Sequence, residues 1–124
     1  MKSKNMQMGD LERRFADIIW ENEPITSSDL SKISEEILDW KKTTSFTVLH
    51  RLQEKGIFKN VRGTVTSLMS KEEFKAIQSE QFVTDQFEGS LPAFIAAFSS
   101  RQTLTEKDVR ELQRIIDAYE ENNS

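Results

Sequence analysis

The chain has no cysteine, one histidine, one tyrosine, two prolines and four glycines in 124 residues. Without cysteine there is no disulfide framework, no zinc ribbon and no thiol redox chemistry. A single histidine, His50, leaves no His-rich metal site. There is no glycine-rich phosphate loop and no nucleophile elbow. The acidic pairs Glu35 with Glu36, Glu72 with Glu73 and Glu120 with Glu121 are sequence neighbours, so they point to different helix faces and do not converge as acid and base. The sequence therefore assigns no catalytic residue, no metal ligand and no cofactor, and the chain does not read as an enzyme. The longest near-continuous apolar run, residues 91–98 (LPAFIAAF), is less than half of the roughly 20 residues that a bilayer crossing needs. The first ten residues carry charge but no apolar stretch, unlike a signal peptide. The expectation is a cytoplasmic chain with no membrane insertion, with residues 1–8 as a disordered tail.

What the sequence does have is an uneven distribution of charge. The whole chain is acidic, with 17 Lys and Arg against 21 Asp and Glu. Residues 41–62 invert that balance: Lys41, Lys42, Arg51, Lys55, Lys59 and Arg62 stand against one acid, Glu54. Residues 65–124 hold 6 basic and 11 acidic side chains. An acidic protein that gathers its positive charge on one short stretch is suited to meet a polyanion there, and DNA is the leading candidate.

Periodicity supplies the frame. Residues 10–20 read as a helix with Leu11, Phe15, Ile18 and Ile19 on one apolar stripe. Residues 26–29 (TSSD) form a capping box, and a second helix follows with Leu30, Ile33, Ile37 and Leu38 inward. Residues 41–55 form a third helix, stopped by Gly56 at the usual left-handed position. The period then changes. Residues 57–61 and 64–68 are rich in β-branched residues, with Arg62 and Gly63 between them, which reads as a β-hairpin. Residues 70–73 (SKEE) cap a fourth helix that runs to about Phe87, residues 91–98 form a short apolar helix, and residues 105–108 (TEKD) cap the last one. The last helix places Val109, Leu112, Ile116 and Tyr119 on one seam. The fold class expected is mainly α with a small β-hairpin: a winged helix-turn-helix over residues 9–69 and a helical dimerisation domain over residues 70–124. Five of the eight phenylalanines (74, 82, 87, 94 and 98) fall in that second part. Three short helices cannot bury so much aromatic surface alone, which points to a symmetric dimer.

On the third helix, Ser45, Val48, Leu49 and Leu52 cluster toward the core. Thr43, Thr47 and His50 lie opposite, with Thr44 and Arg51 on one flank and Phe46 on the other. Threonine hydroxyls can bond base edges or phosphates, and arginine can pair with guanine or clamp a phosphate. Lys41 and Lys42 at the helix start are unfavourable for an isolated helix but suit an arriving phosphate. Lys59 and Arg62 add cations on the wing. Phe46 is expected to pack against a neighbouring helix rather than touch DNA. His50 reads as a polar surface residue or phosphate contact, with no carboxylate partner evident.

The order of these stretches resembles the penicillinase-repressor family of bacterial winged-helix regulators (the BlaI/MecI/CopY group). The similarity rests on DIIW at 17–20, WKKTTSFTVLHRLQEKGIF at 40–58, LMSKEEF at 68–74, and EGSLPAFIAAF with LTEKDVRELQRIID at 88–98 and 104–117. The resemblance implies a homodimeric repressor of transcription on an inverted-repeat operator, controlling a resistance or stress operon. It implies DNA contacts at Thr44, Thr47 and Arg51, and dimerisation through the helices carrying Phe82, Leu91, Phe94, Ile95, Phe98, Val109, Leu112, Ile116 and Tyr119. In the antibiotic-responsive branch it implies a membrane sensor protease, with regulatory cleavage at an Asn-Phe bond. The matching bond here joins Ala97 and Phe98. The chain departs from the pattern at Thr43, where members often carry lysine, at Ser45, where they carry an aliphatic residue, and at Phe46, where they carry a polar one. Its wing is shorter and leaves through Val65, Thr66 and Ser67 in place of an aromatic-x-Pro exit, so a different operator sequence is expected. Copper sensing through C-terminal cysteines is excluded. Two rival readings stand beside this one. One is a winged-helix module whose basic stretch binds an acidic protein. The other is a small-molecule-responsive regulator with a pocket among Phe74, Phe82, Phe94 and Phe98.

Overall fold

A computed structural model describes residues 6–123. Its elements run α1 (Asp10–Asn22), β1 (Ile25–Thr26), α2 (Ser27–Leu38), α3 (Lys42–Glu54), β2 (Phe58–Val61), β3 (Thr64–Ser67), α4 (Lys71–Phe87), α5 (Leu91–Arg101) and α6 (Glu106–Asn122). This is the mainly helical chain with a hairpin after its third helix that the sequence led us to expect. The chain divides into two compact units, Met1–Gln81 and Phe82–Ser124. The division falls inside α4, twelve residues later than the boundary drawn after residue 69 from composition, because Phe74 and Ile77 on α4 pack with the first core.

In the first unit α1 ends where Glu23 precedes a proline and turns extended (φ −67°, ψ 144°), the conformation that proline imposes on its predecessor. Two residues, Ile25 and Thr26, then pair with Val65 and Thr64. That strand is absent from the expected element order. It makes a three-stranded antiparallel sheet in the order β1-β3-β2. Thr26 Oγ1 accepts the Asp29 amide at 3.0 Å and caps α2. At the other end of α2, Asp39 (φ 57°) stops the helix in the left-handed region.

The stop after α3 is built as the sequence suggested. Gly56 has φ 79°, its amide bonds Gln53 O, and the Ile57 amide reaches back to Leu52 O at 3.1 Å. This pair of bonds is the Schellman pattern, and it turns the chain directly into β2. At the hairpin tip Arg62 (φ 53°) and Gly63 (φ 84°) are both left-handed, the geometry of a type I′ turn. The tip is also tethered, because the Ser27 amide donates to Gly63 O at 2.8 Å.

The core of this unit contains Phe15, Ile19, Leu30, Leu52, Ile57, Phe58, Val65 and Phe74, all essentially inaccessible. Trp20 sits at a junction. Its ring lies 5.1 Å from Phe58 and 5.7 Å from Phe74, and its indole N–H donates to Met69 O at 3.1 Å. Three expectations need correction. Leu11 and Ile37 are exposed, each one residue from an end of its helix, where the core no longer covers the stripe. On α2 two serines, Ser31 and Ser34, are buried instead; Ser34 is satisfied by donating to Leu30 O at 2.7 Å. Finally, Met6 is not part of a loose tail. It is 8% exposed within the core, its amide bonds Gln81, and its carbonyl accepts from Gln78. Residues 1–5 of the expected tail lie outside the described residues.

The second unit has a different character. Ser90 caps α5 by accepting the Ala93 amide, and Thr105 with Asp108 forms a reciprocal capping box on α6. Phe82, Phe87, Phe94 and Phe98 form an aromatic cluster with centroids 5.5–6.4 Å apart. Yet no described residue from 82 to 123 is buried. No helix among the described residues is long and apolar enough to cross a membrane.

Candidate nucleic-acid interface

The third helix presents the residues that periodicity assigned to its two sides. Ser45, Val48, Leu49 and Leu52 are buried, while Thr43, Thr44, Phe46, Thr47, His50 and Arg51 are all exposed. The first turn has neither an acidic residue nor a side-chain cap, so its backbone N–H groups keep their positive potential. Lys41 and Lys42 stand at that end and Lys59 and Arg62 on the hairpin, all exposed. Among the described residues none of these four has an acidic partner. Arg62 holds a left-handed backbone that costs a non-glycine residue roughly 1–2 kcal/mol. A cation kept at such a position suggests a use for it.

Other cations are engaged. Arg51 Nη1 pairs with Glu12 Oε1 on α1, a bond between residues 39 apart in sequence. Glu12 is the more buried partner, at 19% side-chain exposure against 50% for Arg51. The carboxylate thus acts as a fixed post that holds an arginine whose outer part is open. Lys55 Nζ donates to Gln7 O at 2.8 Å. His50, expected to lack a carboxylate partner, has one: its Nε2 lies 3.1 Å from Glu54 Oε1, one turn along the same helix. Both side chains are largely solvated, so the pair contributes little to stability. Thr47 Oγ1 donates to Thr43 O at 2.9 Å. That bond uses the hydroxyl proton, so the exposed oxygen can still accept a hydrogen bond.

Phe46 departs from expectation. It is 38% exposed, and the contact its ring shows is with Lys42 Nζ, 5.6 Å from the centroid and on the same helix. Ser45 fills an inward position where its hydroxyl is buried without a hydrogen-bond partner among the described residues. The sequence did not reveal Glu12 as a partner of Arg51, since nothing local links α1 to α3. The acidic i+4 neighbour of His50, Glu54, is a helical pair that the spacing in the sequence itself displays.

In the second unit the residues assigned to dimerisation lie on open faces. Phe82, Leu91, Phe98, Val109, Ile116 and Tyr119 are exposed, and Phe94, Ile95 and Leu112 are half-buried. Ile115, which the seam omitted, is among the most exposed. It widens the apolar stripe of α6 on the side where Leu104, Leu112 and Ile115 line a groove with Phe94, Ile95 and Phe98. The bond between Ala97 and Phe98 lies inside α5, so a protease would have to unwind that helix to reach it. Phe74 is buried in the first core against Trp20; in the second unit Phe82 and Phe98 each pack against Phe94.

The sequence pattern of the penicillinase repressor family matches residues 8–118. A penicillinase repressor from Bacillus licheniformis is 23% identical over 117 residues, spanning 91% of this chain and 91% of the relative. The solution structure of the DNA binding domain of the repressor BlaI is similar at a TM-score of 0.50 with 26% identity, covering 58% of this chain and 93% of that domain.

Proposed function

Because this chain belongs to the penicillinase repressor family, whose members regulate transcription and are not enzymes, we propose that it is a cytoplasmic, homodimeric repressor that binds an inverted-repeat DNA operator. The observation that carries this reading is α3. It exposes Thr43, Thr44, Thr47, His50 and Arg51 on one side, and four cations without acidic partners flank that side from the helix start and the hairpin. In this reading α3 enters the major groove. Thr47 and Arg51 reach base edges, while Lys41, Lys42, Lys59 and Arg62 bind phosphates, setting affinity and register. Glu12 steers Arg51. Its carboxylate offsets the arginine's charge, so the guanidinium favours a guanine edge that offers two acceptors over an arbitrary phosphate.

Dimerisation is supported by the second unit. Its exposed apolar side chains retain between 48 and 69% of their surface. So many exposed apolar side chains in one small unit mark an interface, and a symmetric pair would both cover them and match a palindromic site. The family's regulatory route through a membrane sensor protease would act at the bond between Ala97 and Phe98, within the dimerisation unit.

The test is fluorescence anisotropy on the duplex upstream of the chain's own gene against a scrambled duplex. Preferential binding that falls at least about tenfold in Thr47→Ala and in Arg51→Ala is expected from the loss of one base contact each. Equal, weak binding to both duplexes, unaffected by either substitution, would mean that the operator lies elsewhere or that the basic face serves an acidic protein partner.

A further inference from the structure

An exposed phenylalanine on the flank of a polar, cationic helix face requires a reason. Phe46 shares that face with Thr43 one turn before it and His50 one turn after. The packing of α3 on the core is carried by Ser45, Val48, Leu49 and Leu52. Lys42, the ring's partner, belongs to the same helix, so their contact adds nothing to tertiary packing. Leaving 38% of a phenylalanine in water forgoes burial that a polar residue would not need. Resting on the reading of α3 as the DNA-facing helix, we propose that Phe46 is a specificity-determining residue that meets the C5-methyl group of a thymine in the major groove.

The chemistry of base edges supports this choice. The thymine methyl is the one apolar group that the major groove displays. A phenyl ring has neither donor nor strong acceptor, so it cannot satisfy the amino group of cytosine or adenine or the carbonyl of guanine. Set against those edges it displaces water and returns no hydrogen bond, which carries a penalty. Set against a methyl it loses nothing and buries apolar surface. Phe46 therefore selects in both directions, favouring thymine and disfavouring polar edges. Lys42 assists by covering one side of the ring, which limits ring motion, while its ammonium stays available to a flanking phosphate. Thr43 and His50 offer polar contacts at the neighbouring positions, so the face reads polar, apolar, polar along the groove.

Selection from random duplexes with the full chain and with Phe46→Ala, followed by affinity measurements on the selected site, tests this. A thymine in each half-site should be enriched by the wild-type chain and not by Phe46→Ala. Replacing that thymine with deoxyuridine removes the methyl alone. It should weaken wild-type binding about fourfold per half-site and roughly fifteenfold when both are changed. Phe46→Ala should bind thymine and deoxyuridine duplexes equally, and Phe46→Leu should keep part of the preference. An unchanged melting temperature for Phe46→Ala would show that the exposed ring is not needed for folding. Wild-type indifference to deoxyuridine at every thymine, or the same thymine-to-uracil ratio in Phe46→Ala, would overturn the inference and leave the repressor reading intact. Selection that enriches no duplex would overturn both.

Discussion

Two halves of this chain solve the burial problem differently. Residues 6–81 enclose a core in which Phe15, Phe58, Phe74 and their neighbours are sealed. Residues 82–123 have well-capped helices and an aromatic cluster, yet bury no residue. The first half can be stable through its own contacts. The second has regular structure without an interior, and the proposed second copy would cover its apolar surface. The comparison teaches where each kind of substitution should act: on folding in the first half, on assembly in the second.

The largest effect belongs to the first core. Phe15→Ala should cost about 3–5 kcal/mol, a large share of a typical domain's stability, and calorimetry or chemical denaturation should show the first unit's unfolding midpoint sharply lowered. The same truncation at the exposed Phe98 should leave that unit's melting unchanged. Equal destabilisation by both would break the comparison.

Next in size are charges placed on the second unit's open faces. Phe98→Asp combined with Ile116→Asp should shift the sedimentation of the protein from dimer to monomer at micromolar concentration, with the first unit's unfolding midpoint preserved. A dimer that survives both substitutions would show that these faces are not the interface.

A smaller effect is expected from Glu12→Gln. The Glu12–Arg51 pair is half open to water, so its loss should change stability by less than about 1 kcal/mol. Freed from its carboxylate, Arg51 should bind non-operator DNA a few-fold more tightly and steepen the salt dependence by about one charge per protomer. An unchanged non-specific affinity would remove the steering role assigned to Glu12. The smallest is Ser45→Ala, which removes a buried, unpartnered hydroxyl and should raise stability by about 1 kcal/mol, measured in urea, with operator affinity unchanged.

Local chemistry explains what could be read from the sequence. The stop at Gly56, the tip at Arg62 and Gly63 and the caps at Thr26, Ser70 and Thr105 are fixed by residues adjacent in the chain. So the bounds of α3 and of the hairpin were legible, as was the inward set Ser45, Val48, Leu49 and Leu52. Features set by distant contacts were not. The two-residue strand at Ile25 exists because β3 lies beside it. Met6 has no periodic neighbours to mark it as core. Periodicity gives the stripes of α1 and α2 but not how far along each helix the fold covers them, so Leu11 and Ile37, each one residue from a helix end, read as inward. The same reasoning explains the site: Thr47 and Arg51 follow from the helical wheel, whereas the Glu12 bond to Arg51 and the openness of Phe46 depend on what the rest of the fold leaves beside α3.

The most direct test is the salt dependence of operator affinity for the wild-type chain and for the Phe98→Asp/Ile116→Asp variant. Four phosphate contacts per protomer in a dimer should give a slope of log affinity against log salt of about −7, falling to roughly half that in the variant. An identical slope for both proteins, at equal affinity, would mean that the second unit does not bring two reading heads to the DNA, and the division of labour described here would be wrong.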